Sequence, residues 1–503
     1  MIFPAVCVLA SACLLAPLSA PALPQEATKP AAPPAVAGTW LGSLQAGGET
    51  LRIQLHLDAD AAGRLTCVMD SIDQRAFGIP CGNVQETGDA VSFDVPAVRG
   101  KWAGTISTDG QKLSGTWTQG SSLPLVMERQ QTVIPVPKSA LPDPAMPPVA
   151  IADLKPVLDH DLAEALKSGA LAPATNAGVT IGVIEHGERR IFTYGTAKSD
   201  SVFEIGSITK TFTALILAQM VEQGSVRLDE PVRELLPPGT VGEPASGAEI
   251  TLLDLSDQHS GLPRMPDNFH PANADNPYAD YDAKLLYEYV AKHGVALPPD
   301  APFGYSNLGV GLLGQALSDR AKVPYPVLLR QQVTGPLHML DTAIALTPEM
   351  KARFIQGYDA EHHPAHAWDL DALAGAGAIR STAADMLTYL EAQLHPNNLP
   401  AGVLGQPNGK TLPAAIAMTH EIHASVGESM HIGLNWFRID ATGSYWHNGG
   451  TGGYSSYALF NPDKDFAVIV LSNTTVGPNS ITDKLGLHIA QRLSGLPAVS
   501  LAP

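Results

Sequence analysis

Two proline-rich tracts divide this chain before any other feature needs weighing. Residues 25–36, QEATKPAAPPAV, form the first. The second runs from Ile134 to Pro148 and holds Pro135, Pro137, Pro142, Pro144, Pro147 and Pro148. Each proline removes an amide donor that helix and sheet both need, so such stretches read as semi-rigid linkers. At 503 residues the chain is too long for one ordinary core. The tracts are therefore read as linkers at 23–37 and 131–149, separating a domain at 38–130 from a larger one at 150–497. Apolar residues at 45% and charged residues at 16% provide enough core for both.

Ahead of the first tract, MIFPAVCVLASACLLAPLSAPA is apolar and rich in small residues. It reads as a secretory signal over residues 1–22, with cleavage after Ala20 or Ala22, although no Lys or Arg precedes Lys29. The expectation is a periplasmic or secreted protein with no stable membrane span, since no other long apolar run occurs. The formal net charge of −18 argues against a nucleic-acid partner, because no basic stripe is available to neutralise phosphates. Cys7 and Cys13 fall in the leader. Cys67 and Cys81 are either a disulfide, which export permits, or two unpaired buried thiols in one small β-domain.

From Gly38 to about Arg129 the texture is short alternating runs. Leu51–Leu57 and Val91–Val95 alternate apolar and polar residues as strands with one wet face do. Asp109-Gly110 sits between two such runs and predicts a hairpin. Gly38-Thr39-Trp40 and Gly115-Thr116-Trp117 echo each other. This segment is read as a small all-β barrel or sandwich. Its role is a spacer or stability module, or a contact with the cell wall.

The larger segment has α/β texture. Val179–Ile184 and Arg190–Tyr194 predict a hairpin about His186-Gly187, and Ser455–Phe460 and Phe466–Leu471 flank a turn at Asn461-Pro462-Asp463. A closing helix carries Leu485, Ile489 and Leu493 on one face. Early and late strands around a helical middle predict one sheet built from both ends of the segment.

Three short motifs carry chemistry. Ser207-Ile208-Thr209-Lys210 opens a helical run, and a spacing of three puts serine and lysine on one face. A serine hydroxyl needs a base or a nearby cation to attack. Tyr305-Ser306-Asn307 lies 98 residues on. A phenol near an ammonium has its phenolate favoured and can move a proton, and Asn307 offers an amide to a substrate carbonyl. His447-Asn448-Gly449-Gly450 follows 142 residues later, and its glycines allow a strand edge close to a substrate. Taken singly, each motif is common as a helix cap, a loop tyrosine or a glycine-rich hairpin.

In this order and spacing the three resemble the family of class C β-lactamases, DD-peptidases and their esterase relatives. Leu252-Leu253-Asp254-Leu255 with His259-Ser260-Gly261-Leu262-Pro263 and the run Gly375–Met386 resemble further segments of that family. The resemblance implies an α/β (α+β) domain of the serine β-lactamase type, an antiparallel sheet flanked by helices with a helical subdomain. It implies a hydrolase that is acylated at Ser207, with Lys210 lowering the serine's proton affinity and Tyr305 as general base and then acid. The amides of Ser207 and Gly450 would form the oxyanion hole, and Asn307, His447, Asn448 and Gly449 would line the substrate.

Lactamase members of the family commonly carry Lys-Thr-Gly where this chain has His447-Asn448-Gly449. A histidine's charge is weaker and pH-dependent, which shifts weight from β-lactams toward esters and D-amino peptides. The partner expected is a small-molecule or peptide substrate, with no cofactor and no metal. The cluster His362, His363, His366 is read as a surface loop, since Pro364 interrupts it. The rival from another class is a catalytically idle peptidoglycan- or partner-binding protein on the same scaffold.

Overall fold

The computed structural model describes residues 36–502 apart from 47–48, 60–63, 74–75, 120, 133, 135–140, 428 and 476–480. The proposed signal and most of the first linker, with Cys7 and Cys13, lie outside the described residues. The chain forms two units that meet in sequence between Val136 and Pro137.

The first unit is a nine-stranded antiparallel meander: β1 (Gly38–Ala46), β2 (Glu49–Ala59), β3 (Leu65–Ser71), β4 (Ala76–Pro80), β5 (Gly82–Thr87), β6 (Ala90–Val95), β7 (Gly100–Ile106), β8 (Lys112–Gln119) and β9 (Ser121–Gln130). Their order is β4-β3-β2-β1-β9-β8-β7-β6-β5, so first and last strands pair and curl the sheet like a barrel. The two G-T-W segments sit on β1 and β8, the strands flanking β9, and both tryptophans are buried. Gly104 faces Gly115 across β7 and β8. A Cβ at 115 would stand 2.5 Å from the Trp102 ring, so the paired glycines make a flat floor for that indole. Cys67 and Cys81 are joined by a disulfide, with Cα atoms 5.1 Å apart.

In the second unit an eight-stranded sheet runs β11-β10-β17-β16-β15-β14-β13-β12. The strands are β10 (Gly178–Glu185), β11 (Glu188–Gly195), β12 (Ala424–Ser425), β13 (Met430–Ile432), β14 (Phe437–Ile439), β15 (Ser444–Gly450), β16 (Ser455–Asn461) and β17 (Phe466–Ser472). β10, an early strand, pairs with β17, a late one, as expected of a sheet made from both ends. Its faces are both covered, and the burial alternates. Ala467, Ile469 and Leu471 join the core on one side, while Val468 and Val470 join the core on the other.

Five helices set the frame: α1 (Thr209–Glu222), α2 (Leu252–Ser256), α3 (Asn307–Ala321), α4 (Ala383–Leu394) and α5 (Thr482–Ser494). On α1 every residue from Thr209 to Met220 is buried, which is the pattern of a helix packed on all sides. α5 closes the opposite face of the sheet through Leu485, Ile489 and Leu493. The second proline tract is more than a spacer. Asp143 N donates to Ala498 O at 2.6 Å and Val149 N to Arg492 O at 3.0 Å, so its C-terminal part packs onto the end of α5.

Candidate active site

The segment that carries the candidate nucleophile Ser207 is locked before its helix begins. Phe203 and Glu204 pair with Ser381 and Arg380. Ile205 N donates to Ile379 O at 3.0 Å, and Ser456 Oγ, on β16, donates to Ile205 O at 2.8 Å. Gly206 then adopts φ +48°, where a Cβ would stand 2.6 Å from Gly450 N. Ser207 lies on a single 3-10 turn, Gly206–Ile208, that runs directly into α1. That continuity brings Lys210 back beneath Ser207.

Lys210 is fully buried, and its Nζ has three neighbours. Asn307 Oδ1 lies at 2.8 Å, Ala376 O at 2.7 Å and Ser207 Oγ at 3.0 Å. Burial first, and the charge of Arg264 second, hold its pKa well below the ordinary lysine value. Asn307 opens α3, whose N-cap Ser306 accepts Gly309 N at 2.8 Å. Ser306 N in turn donates to Gln258 Oε1 at 2.7 Å, which holds the preceding Tyr305 over the site. Lys210 Nζ stands 4.9 Å from the Tyr305 ring centroid, and Ser207 is close enough to the phenol to pull its pKa down. Burial pushes the phenol up to about 12, against the lowering pull of Ser207 and Arg264. The phenolate expected from the sequence is therefore not the resting form: desolvation outweighs the nearby cations.

The third motif lies on β15 and splits by strand alternation. Gly449 faces the nucleophile: a Cβ there would lie 2.1 Å from Ile205 O and 2.9 Å from Ser207 N. His447 shares that face, with its ring 6.3 Å from the Tyr305 ring. Its Nδ1 contacts Asn448 O at 2.6 Å. A carbonyl only accepts, so Nδ1 carries the proton and Nε2 is a bare lone pair. Nε2 is buried without a partner in the protein. Burial, with the charge of Lys210 behind it, pushes the ring down to about 3. His447 is thus neutral, and its Nε2 is an acceptor rather than a donor. Asn448 points the other way. Its Nδ2 donates to Asp483 Oδ2 on α5 at 2.7 Å, which corrects the expectation that it lines the substrate.

Ser207, Asn307 and Gly450 border a small cleft whose lining also includes Tyr278, Trp368 and Leu373. Sequence reasoning missed that lining, because aromatic residues in loops carry no periodic signal. It also missed Arg264, whose Cζ stands 5.2 Å from the Tyr305 ring centroid; its only trace was a lone cation after Ser260-Gly261-Leu262-Pro263. A buried Arg380–Glu204 pair at 3.1 Å, with Arg380 Nη2 also donating to Trp368 O at 2.7 Å, ties the Trp368 wall to the nucleophile segment. Asp143, Asp161 and His488 form the one metal-like grouping among the described residues, but Arg492 pairs with both carboxylates and takes the place of a cation. No helix among the described residues is long and apolar enough to cross a membrane.

The β-lactamase family model matches residues 169–491, well over half of the chain. A β-lactamase from Pseudomonas fluorescens is 28% identical over 338 residues, covering 59% of this chain and 88% of that protein. The D-alanyl-D-alanine-carboxypeptidase/endopeptidase AmpH of Escherichia coli K12 is 27% identical over 308 residues, covering 58% of this chain and 78% of that protein. Among solved structures, a class C β-lactamase from Rhodobacter sphaeroides superposes with a TM-score of 0.54 at 22% identity, covering 67% of this chain and 96% of that one. The motifs, their order along the chain, the two-sided sheet and these likenesses lead to one statement: the chain belongs to the β-lactamase family of penicillin-recognising serine hydrolases.

Proposed function

We propose that this protein is an exported acyl-serine hydrolase that opens small esters or D-amino peptides through Ser207. The observation that carries the reading is the contact of Ser207 Oγ with Lys210 Nζ at 3.0 Å, with the Tyr305 ring centroid 4.9 Å from the same Nζ.

Two of the groups around Lys210, Asn307 Oδ1 and Ala376 O, can only accept, so they take two N–H bonds. In the neutral amine that burial favours, the lone pair then points at Ser207. Lys210 takes the serine proton as Oγ attacks the acyl carbon. The amides of Ser207 and Gly450 hold the oxyanion. Tyr305, protonated at rest, hands its proton to the leaving group and is recharged from the Lys210 ammonium. Lys210 takes a proton from the water that attacks the acyl-enzyme, and Tyr305 gives its proton to the departing Ser207 Oγ and is recharged from the Lys210 ammonium. This assigns the base to Lys210 and the acid to Tyr305, where the sequence alone had given both roles to the phenol. The neutral His447 removes a cation from the third motif, which favours esters and peptides over β-lactams. The Cys67–Cys81 disulfide accords with an oxidising compartment.

The test is intact-mass spectrometry after incubation with a fluorophosphonate, a fluorescent penicillin and an ester panel. One adduct per chain is expected on the wild type and none on Ser207→Ala. An unlabelled Ser207 with no turnover of any ester removes the reading and favours the idle scaffold.

A further inference from the structure

We propose that Arg264, in the loop after α2, is the anchor for a substrate carboxylate on the leaving-group side of the scissile bond. The inference rests on the acyl-serine reading and adds a specificity residue to it.

Four observations converge. The Arg264 side chain is exposed, and its Cζ lies 5.2 Å from the centroid of the Tyr305 ring, the residue that protonates the leaving group. Its backbone is not loose: Arg264 O accepts Asn307 N at 3.0 Å and Leu308 N at 3.2 Å, so the loop is clamped to the first turn of α3. The charge is also uncompensated. Among the described residues no carboxylate pairs with Arg264, whereas the nearby Asp267 is engaged by Lys292 and His293. A guanidinium with no paired carboxylate among the described residues forms a positive spot on a chain of net charge −18, and such a spot draws anions.

The fourth observation is negative at the other wall. His447 offers a bare Nε2 lone pair, which repels a carboxylate. The anchor cannot sit on the third motif, and the guanidinium is the group with the planar fork that a carboxylate fits.

The test uses two thioesters that differ in one charge, hippuryl-thioglycolate as the free acid and as its methyl ester, on the full chain. Arg264→Gln is expected to lower kcat/KM for the acid by about 10- to 100-fold, mainly through KM, and to leave the methyl ester within about threefold. Arg264→Lys is expected to keep part of the preference. Equal losses on both substrates would show that Arg264 acts only through Tyr305 or the loop, and would overturn the proposal. So would an unchanged acid. If neither thioester turns over, the same pair is read as protection of Ser207 against the fluorophosphonate, with the same expected ratio. A labelled Ser207 with no change in the acid-to-ester ratio removes the anchor alone, whereas an unlabelled Ser207 removes the hydrolase reading and the anchor with it.

Discussion

Gly449 runs against Ser207 so closely that a Cβ at 449 would stand 2.9 Å from the Ser207 amide nitrogen and 2.1 Å from Ile205 O. Both are backbone atoms, so neither can swing away. Gly449→Ala must push β15 off the Ser207 turn and spoil the two amides, of Ser207 and Gly450, that we propose hold the oxyanion. A misplacement of about 1 Å costs on the order of 100-fold in rate. The expected outcome is that loss in kcat/KM on an ester, with a folded protein by circular dichroism. Retained activity would show that the strand and the turn are not coupled.

The neighbouring residue gives the opposite expectation. Asn448 bonds to Asp483 on α5, across the sheet from the cleft. Asn448→Ala should leave KM within about twofold and lower stability by about 1–2 kcal/mol, because the half-buried Asp483 loses its donor. Denaturant melts and ester kinetics on one preparation check both halves. A large rise in KM would return Asn448 to the substrate.

The division of labour between base and acid has its own signature. Tyr305 sits at about 12 and Lys210 is lowered by burial, so the acid limb of kcat/KM on a neutral ester should belong to the lysine. Tyr305→Phe should lower the rate by about 10²–10⁴ and keep that limb. Lys210→Ala should abolish it. If Tyr305→Phe removes the limb instead, the phenol was the base.

Buried histidines set a pH dependence of stability. His447 is held at about 3 and His420 at about 4, both by burial, below the ordinary value of about 6.5. The unfolded chain therefore binds more protons between these values. Stability is full above about 6.5 and falls as the pH drops toward 4 and then 3. The slope is at most about 1.4 kcal/mol per pH unit for each histidine. Tm should fall steadily below pH 6, and His420→Gln should flatten the curve. A Tm independent of pH between 6.5 and 4.5 would contradict the burial.

The disulfide bears on the first unit alone. Cys67 and Cys81 are 14 residues apart, a loop whose closure is worth about 3 kcal/mol in the chain-entropy model. Cys67→Ser with Cys81→Ser should lower the unfolding midpoint of a transition that Trp40, Trp102 and Trp117 report, all buried in that unit. Ester hydrolysis at Ser207 should be unchanged.

Much of the fold was legible because its signals are local. Alternation placed β2 and β6, the dipeptide Asp109-Gly110 placed one hairpin, the runs on either side of Glu185-His186-Gly187-Glu188 placed another, and period-3.6 spacing placed α5. The α1 helix was visible as an apolar run, but its all-round burial was not, since that depends on what packs against each face. The second proline tract misled for a related reason. Proline removes donors from regular ladders, yet Asp143 and Val149 still find single partners at the end of the chain.

By itself the sequence determined which residues are the candidates for the chemistry: a serine and a lysine three apart, a tyrosine before a capped helix, and glycines where a strand must come close. Those are matters of covalent spacing and backbone freedom, and they survive in any fold that the chain adopts. The tertiary structure alone decided protonation and direction. His447 is neutral, Tyr305 keeps its proton and Lys210 is depressed because desolvation is summed over every surrounding atom. Asn448 faces α5 and Arg264 faces Tyr305 because the phase of a strand and the path of a loop follow from which surfaces pack.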